Sequence, residues 1–135
     1  MFEGYSLNKE VAANTAISFD NVTIQKGCTA TLQGTSTIQL NKCGVYMVEV
    51  DASVTNADAA EVTMQLYKSG IAQSQGQASA SIVAGNTTPL SFTTLVQVPT
   101  NNSSCCCVSP VTIQVINAGE AVTYSNVNIV VTKVC

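Results

Sequence analysis

The sequence predicts an all-β domain built as two packed antiparallel sheets, and three observations support this prediction. Apolar and polar residues alternate with a period of two along most of the chain, which is typical of strands with one buried face. The chain is 46% hydrophobic but only 10% charged, and its polar remainder is rich in Thr, Ser, Asn, Gln and Gly, which favours strands over helices. Its 135 residues are enough for one domain with one core.

The first strands are expected to be short. We predict one at 15–25 and one at 36–40, on either side of a glycine-bracketed excursion. The following run, 44–54, is the longest clear alternation, with polar residues on one face and apolar residues on the other. Its predicted inward residues are Tyr46, Val48, Val50, Ala52 and Val54.

Further strands follow with turn residues between them. In 61–70 the predicted inward residues are Val62, Met64 and Leu66, and a Lys-Ser-Gly turn leads into a strand at 71–83. The predicted inward residues of the next strand, 88–99, are Leu90, Phe92, Thr94, Val96 and Val98.

Two final strands, 110–119 and 122–134, are joined by turn residues at 117–120. The total of roughly eight to ten strands in one domain is typical of an immunoglobulin-like sandwich or of a jelly roll. The chain contains no Trp, whereas the immunoglobulin architecture usually has a core tryptophan beside a cysteine pair.

Four segments in a particular order favour the jelly roll. Residues 38–54 (IQLNKCGVYMVEVDASV) place an Ile-x-Leu strand before a Gly-Val-Tyr step and a long alternating strand. The other three are 16–22 (AISFDNV), 64–75 (MQLYKSGIAQSQ) and 122–134 (VTYSNVNIVVTKV). Together they resemble the tumour-necrosis-factor-like jelly rolls, which include the globular heads of complement and collagen-related proteins. The resemblance covers about residues 11 to 134 and implies a homotrimer of two-sheet jelly rolls.

The resemblance also implies that apolar and aromatic side chains associate around the three-fold axis. The candidate structural aromatics are Tyr46, Tyr67, Phe92 and Tyr124. Among them, Tyr67 is the one that we expect to face a neighbouring subunit. The alternative is that all four side chains belong to the core of a single protomer.

We divide the chain into an N-terminal arm, 1–10, and a jelly-roll domain, 11–135. The arm carries Phe2, Tyr5 and Leu7, and an arm of this kind could anchor a trimer to a larger structure. The alternative is that it packs as an extra edge strand on its own domain. We expect no collagen-like stalk before the head, in contrast to better-known proteins of the family.

Six cysteines are candidates for disulfides. A bond between Cys28 and Cys43 would close a loop of about fifteen residues and contribute roughly 3 kcal/mol in the chain-entropy model. In the segment 101–110 (NNSSCCCVSP) we expect at least one cysteine to form a disulfide outside the cytosol, within or between protomers. A zinc site fits adjacent cysteines poorly, and free thiols are the other alternative. The candidates are Cys28, Cys43, Cys105, Cys106, Cys107 and Cys135.

Composition argues against several functions. The chain has no histidine, the usual acid-base catalyst, so we expect no enzymatic activity, cofactor or metal site. Glu49 and Asp51 could hold calcium if a neighbouring loop, such as the one with Asp58 and Glu61, added oxygen ligands, but a solvated polar face explains the same residues. Five scattered lysines and a net charge of −3 argue against nucleic acid as a partner. No secretory signal or membrane span is recognisable.

These features predict a structural protein of a virus particle. We expect a trimeric capsid decoration protein or short head fibre of a bacteriophage, made in the host cytoplasm, bound to the major capsid protein or another virion protein, and displayed on the virion surface. The alternative is a receptor- or glycan-binding head of a phage fibre or of a bacterial or spore surface protein. Its ligand would then bind at the loops 55–60, 84–88 and 100–109.

Overall fold

The computed structural model describes residues 1–27, 29–99 and 111–135. Within these residues the chain forms eleven strands, of which one has only two residues. The strands are β1 (Phe2–Val11), β2 (Thr15–Ala16), β3 (Asn21–Gln25), β4 (Ala30–Gln33), β5 (Thr37–Leu40), β6 (Gly44–Thr55), β7 (Ala60–Lys68), β8 (Ile71–Ile82), β9 (Thr87–Val98), β10 (Val111–Asn117) and β11 (Val122–Lys133).

The strands form two antiparallel sheets. The first sheet has the order β3–β1–β11–β6–β9, and the second has the order β4–β5–β10–β7–β8, with β2 pairing beside β10. Each sheet buries one face against the other, so the predicted antiparallel two-sheet architecture is confirmed. The edges of the sandwich are β3 and β9 in the first sheet and β4 and β8 in the second.

The core follows the period-two pattern of the long strands. All five predicted inward residues of β6 are buried, as are all five of β9 and all three of β7. In β11, which lies between β1 and β6, the buried residues again alternate with half-buried or exposed ones. Since burying one Val, Leu or Ile side chain contributes about 1.5–3 kcal/mol, this alternation is the main source of stability. The inward residues of β11 are Val122, Tyr124, Val127, Ile129 and Val131.

The segment predicted as one strand at 15–25 is divided in the structure. It begins as β2 beside β10 in the second sheet and ends as β3 beside β1 in the first. Ile17 and Phe19 lie between these two strands and are fully buried, because the chain crosses the core as it changes sheets. The apolar residues of this segment are therefore buried, but the prediction of a single continuous strand was wrong.

The excursion before the long strand also contains a strand that the sequence did not reveal. Residues Ala30–Gln33 form β4, which pairs with β5 at the edge of the second sheet. Only Ala30 of this strand is buried, while Thr31 and Leu32 are half-buried. An edge strand this short leaves too little alternation to be recognised.

The division into an arm at 1–10 and a domain at 11–135 requires a correction. Residues 2–11 form β1, which lies inside the first sheet and pairs with β11 on one side and β3 on the other. Phe2 is 0% exposed, and its ring fills the space beside Gly4, where a Cβ would come within 3.2 Å of it. The chain therefore follows the alternative of a strand packed on its own domain, although as an inner strand and not as an edge.

The hydroxyl of Ser6 shows how firmly β1 is attached. Ser6 is completely buried, its Oγ donates to the carbonyl of Ser18 at 2.7 Å, and the same Oγ accepts from the backbone N–H of Asp20 at 2.8 Å. On the solvent side, Lys9 and Asp20 form an ion pair. These contacts join β1 to the crossover that leads into β3. Of the other residues assigned to the arm, Tyr5 is half-buried and Leu7 is 53% exposed.

Phe2 and Leu7 provide a matched test of the position of β1. We expect Phe2→Ala to lower the free energy of unfolding by about 3–5 kcal/mol, because it leaves a cavity in the core. Leu7→Ala, on the same strand but on the solvent side, should change it by no more than about 0.5 kcal/mol. Urea denaturation of both variants measures the difference. Equal, small effects would show that β1 is detached in solution.

Candidate functional site

One side of the sandwich carries no charge. Between Lys68 and Glu120 the sequence contains no Asp, Glu, Lys or Arg, and this stretch includes β8 and β9. These two strands are edges of different sheets and contact each other along one side of the molecule. We call this side, formed by residues 71–82 and 87–98, the uncharged flank.

The uncharged flank is unusual because both of its strands are long edge strands. Each has twelve residues and would span about 40 Å when extended. Edge strands present unpaired backbone N–H and C=O groups, and soluble proteins commonly protect them with charged side chains. Neither β8 nor β9 has such a charge. The opposite edge, near β3, is charged by contrast, with Asp20 and Lys26 directly flanking that strand.

Exposed apolar side chains lie on or beside this flank. Leu95 projects from β9 and is 58% exposed, Ile71 begins β8 and is 68% exposed, and Val83 follows β8 and is 64% exposed. Leu95 lies directly opposite the half-buried Met47 of β6 on the outer face of the first sheet. Depletion of charge together with exposed apolar side chains is the composition found at the centre of protein–protein interfaces.

The path of β8 is shaped by a buried amide. The pairing register of β7 and β8 shifts after Gln65. The side-chain Nε2 of Gln65 donates to the carbonyls of Gln73 and Gly76 in the bulged part of β8. Gly76 is packed so closely that a Cβ would lie 2.9 Å from Cβ of Leu66 and 3.3 Å from Cγ2 of Thr94. The bulge therefore brings β8 against β9 and closes the gap between the sheets on this side.

Three of the four candidate aromatics belong to the core of their own chain. Tyr46 and Tyr124 are completely buried and Phe92 is nearly so, whereas Tyr67 is half-buried on β7. The hydroxyl of Tyr46 donates to the carbonyl of Lys42 at 2.7 Å. This placement favours the alternative of a single core for Tyr46, Phe92 and Tyr124. A contact of Tyr67 with a neighbouring subunit stays a prediction.

A buried polar network holds the end of the sandwich at which β10 turns into β11. The Nδ2 of Asn117 donates to the carbonyls of Val11 and Glu120 at 3.1 Å and 3.0 Å, and its Oδ1 accepts from the hydroxyl of Tyr124 at 3.2 Å. Burial disfavours the phenolate and raises the pKa of Tyr124 well above its ordinary value of about 10. Sequence patterns do not reveal this network, because its members lie on β1, on β10, on β11 and in the turn between the last two.

The structure describes only two of the six cysteines that were disulfide candidates. Cys43 is half-buried and Cys135 is exposed, and no disulfide joins these two residues. Both lie near the start of β6, since the carbonyl of Cys135 accepts from the backbone N–H of Val45 at 3.4 Å. Cys28, Cys105, Cys106 and Cys107 lie outside the described residues. The proposed disulfides therefore stay predictions.

Two of the three loops that the alternative function would use are in contact. The backbone N–H of Gly85 donates to the carbonyl of Asn56 at 2.8 Å, which joins 84–88 to 55–60. The strand before 100–109 ends at Val98, and the strand after it begins at Val111. Val98 pairs with Gly44, at the opposite end of β6 from Thr55. The segment 100–109 itself lies outside the described residues.

The acidic residues are dispersed. Glu49 is half-buried and Asp51 exposed on the outer face of the first sheet, whereas Glu61 accepts from the hydroxyl of Ser81 through its Oε1. Among residues 1–27, 29–99 and 111–135, no three acidic or cysteine side chains are grouped as metal ligands would be. No described segment forms a helix with the length and apolar character needed to cross a membrane.

The strand order and the single core define the class of this protein as a jelly roll of the tumour-necrosis-factor-like type, as the resemblance implied. The globular domain of zebrafish complement 1qA matches with a TM-score of 0.68 at 10% identity, over 96% of this chain and 94% of that chain. Murine APRIL matches with a TM-score of 0.64 at 8% identity, over 98% of both chains.

A third solved structure has the same fold. The PRD1 vertex protein P5 matches with a TM-score of 0.54 at 16% identity, over 99% of this chain and 96% of that chain. No family model matches the sequence, and no curated protein matches it either. At identities this low, the three structural likenesses establish the fold of the chain.

Tyr124 provides a pH test of the buried network. The folded protein keeps the phenol proton to a higher pH than the unfolded chain does, because burial disfavours the phenolate. Above about pH 10 the unfolded chain therefore ionises first, and the free energy of unfolding falls as pH rises. We expect Tyr124→Phe to lose about 1 kcal/mol at neutral pH, but to show a smaller further loss in alkali.

Chemical denaturation at about pH 8 and about pH 11 measures both effects. Tyr5→Phe is the matched control, because it removes a half-buried hydroxyl on the outer face of the first sheet. Parallel pH profiles for the unmodified protein and Tyr124→Phe would contradict the assignment.

Proposed function

We propose that this chain is a non-enzymatic structural protein of a bacteriophage particle, a trimeric capsid decoration protein or short head fibre displayed on the virion surface. The observation that carries the proposal is the likeness to the PRD1 vertex protein P5 over 99% of the chain. That protein is named as a vertex protein, and the match covers 96% of its chain.

The uncharged flank supports the trimeric part of the proposal. Two long edge strands without charge, with Leu95 58% exposed, need a cover that water does not supply. A second copy of the chain is a suitable cover, because its own surface offers apolar side chains on the outer face of the first sheet. When the flank of one copy packs on a different surface of the next, the contact is heterologous, and it forms a ring if the rotation between copies closes. Three copies related by a three-fold axis satisfy this geometry.

The composition of the surface supports a place in a particle assembled in the cytoplasm. Thr, Ser, Asn and Gln form most of the exposed positions of β8 and β9, and such side chains hydrogen-bond well without a dependence on salt. The partner that we propose is the major capsid protein or another virion protein. The alternative, a receptor- or glycan-binding head that uses its loops, would place the protein on a fibre or on a cell surface.

Charge placed on the uncharged flank tests the trimer. Native mass spectrometry of the unmodified protein at micromolar concentration should show trimers. We expect Leu95→Lys to yield monomers, because burying an unpaired ammonium costs several kcal/mol. Gln33→Lys adds the same charge to an exposed position of β4, at the opposite edge of the second sheet, and should leave the trimer intact. A stable unmodified monomer, or equal dissociation of both variants, would contradict the proposed interface.

The place in the particle is tested with purified virions. We expect the copy number of the protein to match a lattice that extends over the capsid, and virions that lack the protein to lose infectivity at lower temperature or lower salt than complete ones. Quantitative mass spectrometry of the particles and a heat-inactivation series measure the two quantities. A few copies confined to a tail or fibre tip would contradict capsid decoration and would favour the receptor-binding alternative.

A further inference from the structure

The charged side chains of this protein are separated between the two ends of the sandwich. Strand β6 runs from Gly44 at one end of the first sheet to Thr55 at the other, and it pairs with β9 over this whole length. Its twelve residues span about 40 Å. This distance is several times the screening length of about 8 Å at physiological ionic strength, so the two ends present separate electrostatic surfaces.

Four of the five lysines lie at the end where β6 begins. Lys133 pairs with Tyr46 near the start of β6, and Lys42 lies two residues before this strand. Lys26 lies beside the start of β1, since its backbone N–H donates to the carbonyl of Met1 at 2.9 Å. The first residues of β1 pair with the last residues of β11, which brings these three lysines to one end of the first sheet.

The fourth lysine, Lys68, lies at the same end in the second sheet. It is the last residue of β7 and pairs with Ile113 of β10, which pairs in turn with Ile38 of β5. Strand β5 ends at Leu40, just before Lys42 and the start of β6. All four lysines are exposed or half-buried. We call them the basic end: Lys26, Lys42, Lys68 and Lys133.

Four carboxylates lie at the opposite end. Glu10 pairs with Thr123 of β11, which pairs with Thr55 at the end of β6. In the turn before β11, Oε2 of Glu120 accepts from the backbone N–H of Glu61 at 2.6 Å. The connection from β6 to β7 adds another acid. We call these four exposed residues the acidic end: Glu10, Asp58, Glu61 and Glu120.

Neither end is neutralised by ion pairs within the described part of the chain. The only ion pair among residues 1–27, 29–99 and 111–135 joins Lys9 to Asp20. Glu3 lies near the basic end, but its carboxylate accepts from the hydroxyl of Thr23 at 2.8 Å and forms no ion pair with a lysine. Residue 28 and the segment 100–110 contain no charged side chain. One end of the sandwich is therefore positive and the other negative.

The proposed trimer leaves both ends open. Its contact joins the uncharged flank of one copy to the outer face of the first sheet in the next copy. Both surfaces run along the strands, so the rotation that brings one against the other has its axis parallel to the strands. A closed ring therefore places three basic ends together on one side and three acidic ends together on the other.

The chemistry of the basic end favours a protein partner over a nucleic acid. Phosphate groups are recognised best by Arg, whose planar side chain bonds two oxygens at once. The chain has no Arg, and its lysines come from separate segments and do not form one stripe. Dispersed ammonium groups match the dispersed carboxylates of an acidic protein surface. Opposite charges across such a contact steer association and fix the orientation of the partners.

We infer that the trimer docks on the virus particle through its basic end, against an acidic surface of another virion protein, and that its acidic end faces outward. The inference rests on the proposed structural function and adds to it the orientation of the trimer and the chemistry of its partner. The segment 55–60 lies at the outward end, because it follows the end of β6. The hydrogen bond from Gly85 to Asn56 holds the segment 84–88 beside it.

The experiment adds purified protein back to virions that lack it and measures the apparent Kd over a range of NaCl concentrations. Lys26→Gln combined with Lys42→Gln removes two exposed charges from each basic end. We expect this double variant to bind about tenfold or more weakly, with a smaller dependence on salt than the unmodified protein. Zero-length coupling of amines to carboxylates in intact virions should link Lys26 or Lys42 to a second virion protein.

Glu10→Gln combined with Asp58→Asn is the matched control, because it removes two exposed charges from each acidic end. It should bind virions as the unmodified protein does, and native mass spectrometry should show both double variants as trimers. Equal binding by the two double variants, or weaker binding by the control, would overturn the inference. Tight binding of the unmodified protein to random-sequence duplex DNA would overturn the assignment of a protein partner. If the unmodified protein binds no virions at any salt concentration, the proposed function itself fails.

Discussion

The structure depends on the pairing of β11 with β1 on one side and β6 on the other. These three strands form the middle of the first sheet, and their inward side chains supply much of the core that both sheets share. Because the side-chain period of a strand is two, a slip of one residue in either pairing would turn every inward valine and tyrosine towards water. The register is therefore fixed by burial, and the rest of the molecule is arranged around it.

The same constraint leaves regions of the surface with different compositions. Inward positions are fixed by packing, so charged and exposed apolar side chains lie at the edges and on the outer faces. All charged residues lie outside the stretch from 69 to 119, which leaves β8 and β9 as an uncharged flank. On the outer face of the first sheet, a bulge at Ser125 interrupts the pairing of β11 with β6.

Much of the fold could be predicted from local patterns, because alternation is a property of neighbouring residues. The inward faces of β6, β7 and β9 were predicted residue by residue, and all of those residues are buried. The candidate surfaces were harder to predict from the sequence. The absence of charge between Lys68 and Glu120 is visible in the sequence, but only the contact of β8 with β9 shows that it forms one side of the molecule. The bulges at Gln65 and Ser125 were not predicted either, because alternation does not reveal them.

By itself, the sequence determined that this chain is an all-β sandwich with one core, and it determined which side chains of the long strands face that core. The tertiary structure decided that residues 2–11 form an inner strand, that 15–25 crosses between sheets, and that Tyr46, Phe92 and Tyr124 are buried within their own chain. The physical reason is the range of each interaction. Which residues of a strand are buried follows from the alternation within that strand, which is a local property. Which strands pair depends on hydrogen bonds and packing between residues as far apart in the sequence as Phe2 and Val131.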